Sequence, residues 1–265
     1  MAATVRTEDR IGSEGQRVRL LLLGNPARRN AVDPAALARI GEECERATRD
    51  GIRALVLAGE GGVFCAGYDL SALAEGLAAK DSADLVDAPL VRACAALEAC
   101  SAIIIAAVDG PAFGAGAELA CACDLRIAAP SAKFSLPPAR LGVVYSPEGI
   151  ARVVRLVGLA QARRLFFTAA VVEEASEALR IGLCEEVVEG ASALARALAL
   201  ATTIAGLAPL ALSGMKRTFA LLAPLPTDAA RAELESLRRA AFGSEDAKEG
   251  VLAFREKRTP RFNGR

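Results

Sequence analysis

The sequence predicts an α/β fold with a helical rear, and three observations carry that prediction. Short apolar runs alternate with helix-period segments over the front of the chain, the pattern of successive crossover units. Two glycine turns, around Ala66-Gly67 and Gly114-Ala115-Gly116, each join a strand end to a helical pattern. From about Pro147 onward, helical patterns follow one another.

Taken in order, Arg17 to Leu23 is a near-continuous apolar run suited to a buried strand, ended by Asn25-Pro26. Asp33-Pro34 starts a helix in cap-then-proline order that runs to about Asp50. Ala54 to Ala58 is a second strand, with Val63 to Cys65 read as its short continuation. Gly67 then relieves a tight bend, and Asp69 caps a helix that begins at Leu70. Leu85 to Cys100 has helical spacing, Ile103 to Val108 is strand-like, and Gly110 to Gly116 is a glycine-rich turn. The rear reads as helices over Pro147 to Leu156, Ala160 to Phe167, Glu173 to Ile181, Ala191 to Ala205, Leu210 to Leu221, Asp228 to Ala241 and Glu249 to Lys257. A strand-rich core with a helical appendage used in association is the expected organisation.

Composition excludes several functions. With 265 residues, 53% hydrophobic and 24% charged, the chain is long and apolar enough to bury a full core. Net charge is zero and aromatics are only 4%, so no basic, ring-interleaved stripe offers itself to nucleic acid. No apolar run reaches the roughly 20 residues of a membrane span, and Met1 to Gly15 mixes charges without an apolar signal core; a cytoplasmic protein is expected. Seven cysteines, an odd number scattered through apolar segments, read as reduced core thiols, and Cys121 and Cys123 have no second pair to complete a zinc site. Histidine is absent, which removes Ser/His/Asp triads, Cys/His dyads and histidine-held metals. Proton transfer is left to Glu, Asp, Tyr, Cys, Lys or bound water.

The second glycine turn, Asp109 to Leu119, follows a strand and opens a helix, so its backbone N–H groups face a place that favours negative charge. Together with the Ala66-Gly67-Tyr68 turn it supplies two N–H donors on separate strand ends that can converge on one oxygen. Small residues there also simply permit close packing. These motifs, Phe64-Cys65-Ala66-Gly67-Tyr68-Asp69-Leu70, Gly114-Ala115-Gly116-Ala117-Glu118-Leu119 and Leu141-Gly142-Val143-Val144-Tyr145, occur in an order that resembles the enoyl-CoA hydratase/isomerase family of the crotonase superfamily. The resemblance extends from Asn25-Pro26-Ala27-Arg28-Arg29-Asn30-Ala31 through Cys123 to Ala128 and on to Glu245 to Arg258.

The resemblance implies a crotonase-like spiral of β-β-α units: an acyl-CoA-binding core over residues 1–200 and a helical trimerisation region over 201–265, assembling as a trimer or a hexamer made of two trimers. It implies an acyl-CoA substrate of the fatty acid metabolism type, with coenzyme A arriving as part of that substrate, no permanently bound cofactor and no metal. By position, the amides of Tyr68 and Ala115 match an oxyanion hole for the thioester oxygen, and Glu118 matches the first of two hydratase glutamates. An acidic residue in a helix's first turn is also favourable without catalysis. The second glutamate position matches Pro138, which cannot carry a proton. Glu148 is the nearest replacement, although Ser146-Pro147-Glu148 reads first as a helix cap. Tyr145 matches a tyrosine of methylmalonyl-CoA decarboxylases, so decarboxylation is an alternative to hydration or isomerisation, and a binder without catalysis is a third reading. A half-buried tyrosine with a satisfied hydroxyl is the plain account of Tyr145. For coenzyme A contacts the resemblance points to Arg28, Arg29, Ala66, Asp69, Leu70, Phe242 and Lys257, with Arg258 beside the last.

Overall fold

Strand β2, Arg17–Gly24, lies beside β3, Ala54–Gly59, followed across the sheet by β4, Ile103–Val108, then β6, Leu125–Ala128, and β9, Glu186–Val187, all parallel. The computed structural model describes residues 3–12, 15, 17–78, 85–190, 192–222 and 228–261. A parallel sheet is covered on both faces, which is why its strands read as unbroken apolar runs. Alternate residues sort cleanly. Leu21, Leu23, Leu55, Leu57 and Ile104 join a core with helices α1, Pro34–Arg49, and α3, Ala88–Ala99. Leu20, Val56, Ile105 and Ile127 face the small-residue stripe Ala193, Ala197 and Ala201 of α7, Ala193–Ala205.

The Asp33-Pro34 start is observed: the Asp33 side chain accepts the Ala36 N–H at 2.8 Å. A charged strand, β1, Thr4–Ile11, pairs antiparallel with β2 at the sheet edge and was not anticipated, since almost all its residues are exposed and no apolar alternation marks it. Val63 to Cys65 does not continue β3. Gly61 and Gly62, at φ 68 and 73, turn the chain away, and Cys65 bridges Ala112 of β5, Pro111–Phe113. That strand belongs to a second sheet with β7, Lys133–Ser135, and β8, Val171–Val172. The expected break between Leu156 and Ala160 is present, because Gly158 at φ 74, ψ 160 interrupts α5, Pro147–Thr168. Ser146 caps that helix through the Gly149 N–H at 2.9 Å.

The first helix after the opening turn, α2, spans Leu70–Ala78, and α4 spans Ala115–Ala122; α6, Ala175–Ile181, precedes β9. The rear helices are α8, Pro209–Leu222, α9, Asp228–Phe242, and α10, Glu245–Arg255; the anticipated helix start at Ala191 lies outside the described residues. Within one chain α10 returns to pack on α2 and on the 3-10 turn Pro138–Leu141. The approach is close: a Cβ on Gly250 would fall 2.6 Å from the Leu141 carbonyl carbon. The helical rear therefore helps to wall the space beside the two glycine turns. All seven cysteines are free and buried, as expected.

Candidate active site

The opening turn is fastened on both sides of one residue. Val32 donates its N–H to Gly67 O at 2.9 Å, and Asp69 donates to Val32 O at 2.7 Å. Tyr68 N–H falls between these bonds and, among the described residues, has no protein acceptor. Gly67 takes φ 116, a conformation that side chains rarely adopt, and a Cβ there would meet Phe113 O at 3.0 Å.

The second turn is held by Gly114 N–H to Ser135 O and Phe113 N–H to Cys65 O, each 2.9 Å. Ala115 is the first residue of α4, so its N–H has no acceptor within the helix. A Cβ on Gly67 would lie 3.8 Å from Ala115 N, and one on Gly116 would collide with Cys65 O at 2.3 Å. The two turns therefore pack backbone to backbone, which only these small residues allow. Tyr68 and Ala115, whose N–H groups have no protein acceptor among the described residues, both line one cavity of about 600 Å³.

Of the residues singled out from sequence, Tyr68, Ala115, Glu118, Tyr145, Arg28, Arg29, Ala66, Asp69, Leu70 and Phe242 line this cavity. Glu148 and Lys257 do not: Glu148 is half-buried on the first turn of α5, and Lys257 is exposed past α10. Pro138 is buried and also stands back from the wall, which its neighbours Pro137 and Arg140 form instead. Asp69 behaves as anticipated, its side chain accepting the Ser71 and Ala72 N–H groups while pairing with Arg28.

Glu118 sits on the first turn of α4 and is 3% exposed. Burial pushes its carboxyl up to about 7, against the pull of the Arg152 guanidinium 3.4 Å away. That arginine, on α5, is shared: it holds Glu98 of α3 at 2.9 and 3.0 Å. Gly149 makes room for the carboxylate, since a Cβ there would lie 2.5 Å from Glu118 Oε1. A glutamate balanced near neutrality can both give and take a proton.

Tyr145 packs its ring edge-on against Phe166, centroids 5.6 Å apart, and its hydroxyl faces the second turn, 3.6 Å from where a Gly114 Cβ would be. Burial pushes this phenol well above its usual range, so it stays a neutral O–H donor. Tyr68 lines the cavity and donates its hydroxyl to Val86 O at 3.1 Å. Sequence reasoning missed Asp87, Glu98 and Arg152. Asp87 lines the cavity, and Arg238 Nη2 of α9 reaches both its oxygens at 2.7 and 2.6 Å. Only the three-dimensional meeting of α3, α5 and α9 reveals these groups.

Fold and site together give an α/β protein with a largely apolar cavity whose wall holds the two glycine turns and the buried carboxyl of Glu118. The family model for enoyl-CoA hydratase/isomerase matches residues 13–265, and the chain belongs to that family, in the crotonase superfamily. It is 37% identical to the 2,3-dehydroadipyl-CoA hydratase of Escherichia coli K12 over 96% of this chain and 98% of that protein. It is 35% identical to the carnitinyl-CoA dehydratase of Proteus mirabilis, over 92% of this chain and 94% of the other. Among solved structures it resembles methylmalonyl-CoA decarboxylase complexed with 2S-carboxypropyl CoA, at a TM-score of 0.85 and 29% identity, covering 100% of this chain and 99% of the other.

Proposed function

We propose that the protein adds water to the double bond of an enoyl-CoA, with Glu118 as acid/base. The carrying observation is that two amides without protein acceptors, at Tyr68 and Ala115, share a cavity wall with a glutamate pushed up to about 7. In this reading the thioester oxygen lies between the two N–H groups and gains charge as water attacks the β carbon. The water oxygen bonds that carbon and sheds one proton to a second base or to solvent, the double-bond electrons move into the enolate, and protonated Glu118 gives its proton to the α carbon. Each amide of such a pair contributes about 3 kcal/mol of transition-state stabilisation. Isomerisation would use the same enolate, with Glu118 moving a proton between carbons. Relatives named as a hydratase and a dehydratase support this chemistry.

Arg28 and Arg29, at the cavity, are assigned to coenzyme A phosphates, as guanidinium groups suit phosphate oxygens. Lys257, away from this chain's cavity, is assigned to the substrate of a neighbouring subunit. Residues 201–265 are assigned to trimerisation, supported by apolar side chains left in the open such as Leu210, 87% exposed, and Phe219, 71%.

A second reading is decarboxylation, which makes the enolate by losing carbon dioxide and needs no base to begin. It is favoured by the Tyr145 hydroxyl beside the second turn and by the structural likeness to methylmalonyl-CoA decarboxylase. Incubation with crotonyl-CoA, a longer enoyl-CoA and methylmalonyl-CoA, followed by thioester absorbance and product analysis, separates the readings. Hydration lost in Glu118→Gln supports the first; turnover of methylmalonyl-CoA alone, lost in Tyr145→Phe, supports the second. Saturable binding without turnover contradicts both and makes the protein an acyl-CoA binder.

A further inference from the structure

The position expected to carry a second carboxylate holds Pro138, and Glu148 lies off the cavity, so on those residues Glu118 works alone. Yet the cavity wall contains another carboxylate. Asp87 immediately precedes α3, and its placement is secured from two directions. Arg238 Nη2 holds both its oxygens from α9, and the preceding carbonyl, Val86 O, accepts the Tyr68 hydroxyl at 3.1 Å. The second bond ties the residue before Asp87 to the turn that carries Tyr68. A carboxylate has about four lone-pair sites, so two guanidinium contacts leave acceptors for a water molecule.

We propose that Asp87 is the second catalytic carboxylate of this site, the base that takes a proton from the attacking water while Glu118 delivers one to the α carbon. The assignment rests on the enoyl-CoA reading above. The balance closes: water loses one proton to Asp87, its oxygen bonds the β carbon, the double-bond electrons pass through the enolate, and the α carbon receives the Glu118 proton. Proton return from Asp87 through solvent to Glu118 resets the site. The surroundings divide the roles. Burial lifts both carboxyls, but Asp87 is opposed by a two-contact pairing with Arg238, whereas the arginine near Glu118 is engaged chiefly with Glu98. Among the described residues, the charged and titratable groups around Asp87 are Arg238 and Glu235 on α9, Glu118 on α4, and Tyr68 and Tyr145 on the cavity wall. Environments that treat two carboxyls differently are how one site provides both an acid and a base.

The test uses the full-length protein, crotonyl-CoA and a longer enoyl-CoA as hydration substrates, and acetoacetyl-CoA as a non-hydrating probe of the amide pocket. Asp87→Asn should lower hydration kcat by about 10²- to 10⁴-fold, while acetoacetyl-CoA still binds within threefold of wild type. Asp87→Glu should restore part of the rate. If Asp87→Asn does not fold, the double variant Asp87→Asn/Arg238→Met removes both charges together, and the same loss of rate with retained binding is expected. Hydration within threefold of wild type in either variant overturns the proposal. So does a joint loss of rate and probe binding, which would mark the ion pair as a wall support. A wild-type protein that binds the probe but hydrates neither enoyl-CoA also overturns the role of Asp87 and leaves the thioester site standing. Failure of the wild type even to bind the probe brings down that site as well.

Discussion

Among the described residues, two glutamates are almost completely buried, and their surroundings differ. Glu43, on α1, is 1% exposed and meets three guanidinium groups, those of Arg19, Arg39 and Arg46 at 3.6, 2.6 and 3.5 Å. Glu118, on α4, is 3% exposed and meets one, Arg152, at 3.4 Å. The first is a charge surrounded by opposite charge at the side of the sheet, away from the cavity. The second stands on a cavity wall with a single partner that another carboxylate also claims, and burial takes its carboxyl to about 7. Equal burial therefore says little about function; the number of compensating charges and access to an open space say more.

The comparison is broken most severely by removing the carboxyl proposed as acid/base. Glu118→Gln should lower hydration of crotonyl-CoA by about 10²- to 10⁴-fold with little change in acetoacetyl-CoA binding, measured by steady-state kinetics and titration. Moving the carboxylate without replacing it should act in the same direction. In Gly149→Ala the new Cβ must displace Glu118 Oε1, now 2.5 Å from that point, and misplacement of about 1 Å costs roughly 10²-fold in rate.

A pH series sharpens the contrast. The native value of Glu118, about 7, lies above its unfolded value of 4.5, so the folded state holds this proton more tightly. The stability this contributes is full below the unfolded value and is lost as pH rises through about 7, roughly 3 kcal/mol in all. Denaturant unfolding of wild type and Glu118→Gln at pH 5 and pH 8 should show the loss in wild type alone. Over the same range, kcat/KM for hydration should decline above about pH 7, as the protonated acid disappears.

Smaller effects complete the series. Glu43→Ala, leaving the buried Arg19 with Asp9 and Asp50 alone, should cost about 1 to 3 kcal/mol in denaturant unfolding while kcat stays near wild type. Tyr68→Phe keeps the backbone amide and removes only the bond to Val86 O, so hydration should stay within roughly fivefold of wild type.

Much of the frame was legible in the sequence because its signals are local. The Asp33-Pro34 cap, the Ser146-Pro147 cap, the apolar strand runs and the two glycine turns each depend on neighbours along the chain. Glu118 was legible for the same reason, being one turn beyond Gly114. What escaped depends on distant parts meeting. Strand β1 is charged and exposed, and only its antiparallel register with β2 makes it a strand. Cys65 crosses to Ala112 in the second sheet because two glycines redirect the chain, a turn that the apolar pattern of Val63 to Cys65 hides. Asp87 and Arg152 sit in segments whose spacing reads as ordinary helix, and their ion pairs come from residues of α9 and α3, distant in the chain.

The most direct measurement of the central claim is a crystal structure of the protein with acetoacetyl-CoA bound. The thioester oxygen should lie 2.7 to 3.1 Å from both Tyr68 N and Ala115 N, with the Glu118 carboxyl beside the α carbon. A thioester oxygen that contacts neither amide, with both N–H groups turned to acceptors inside the protein, would contradict the account.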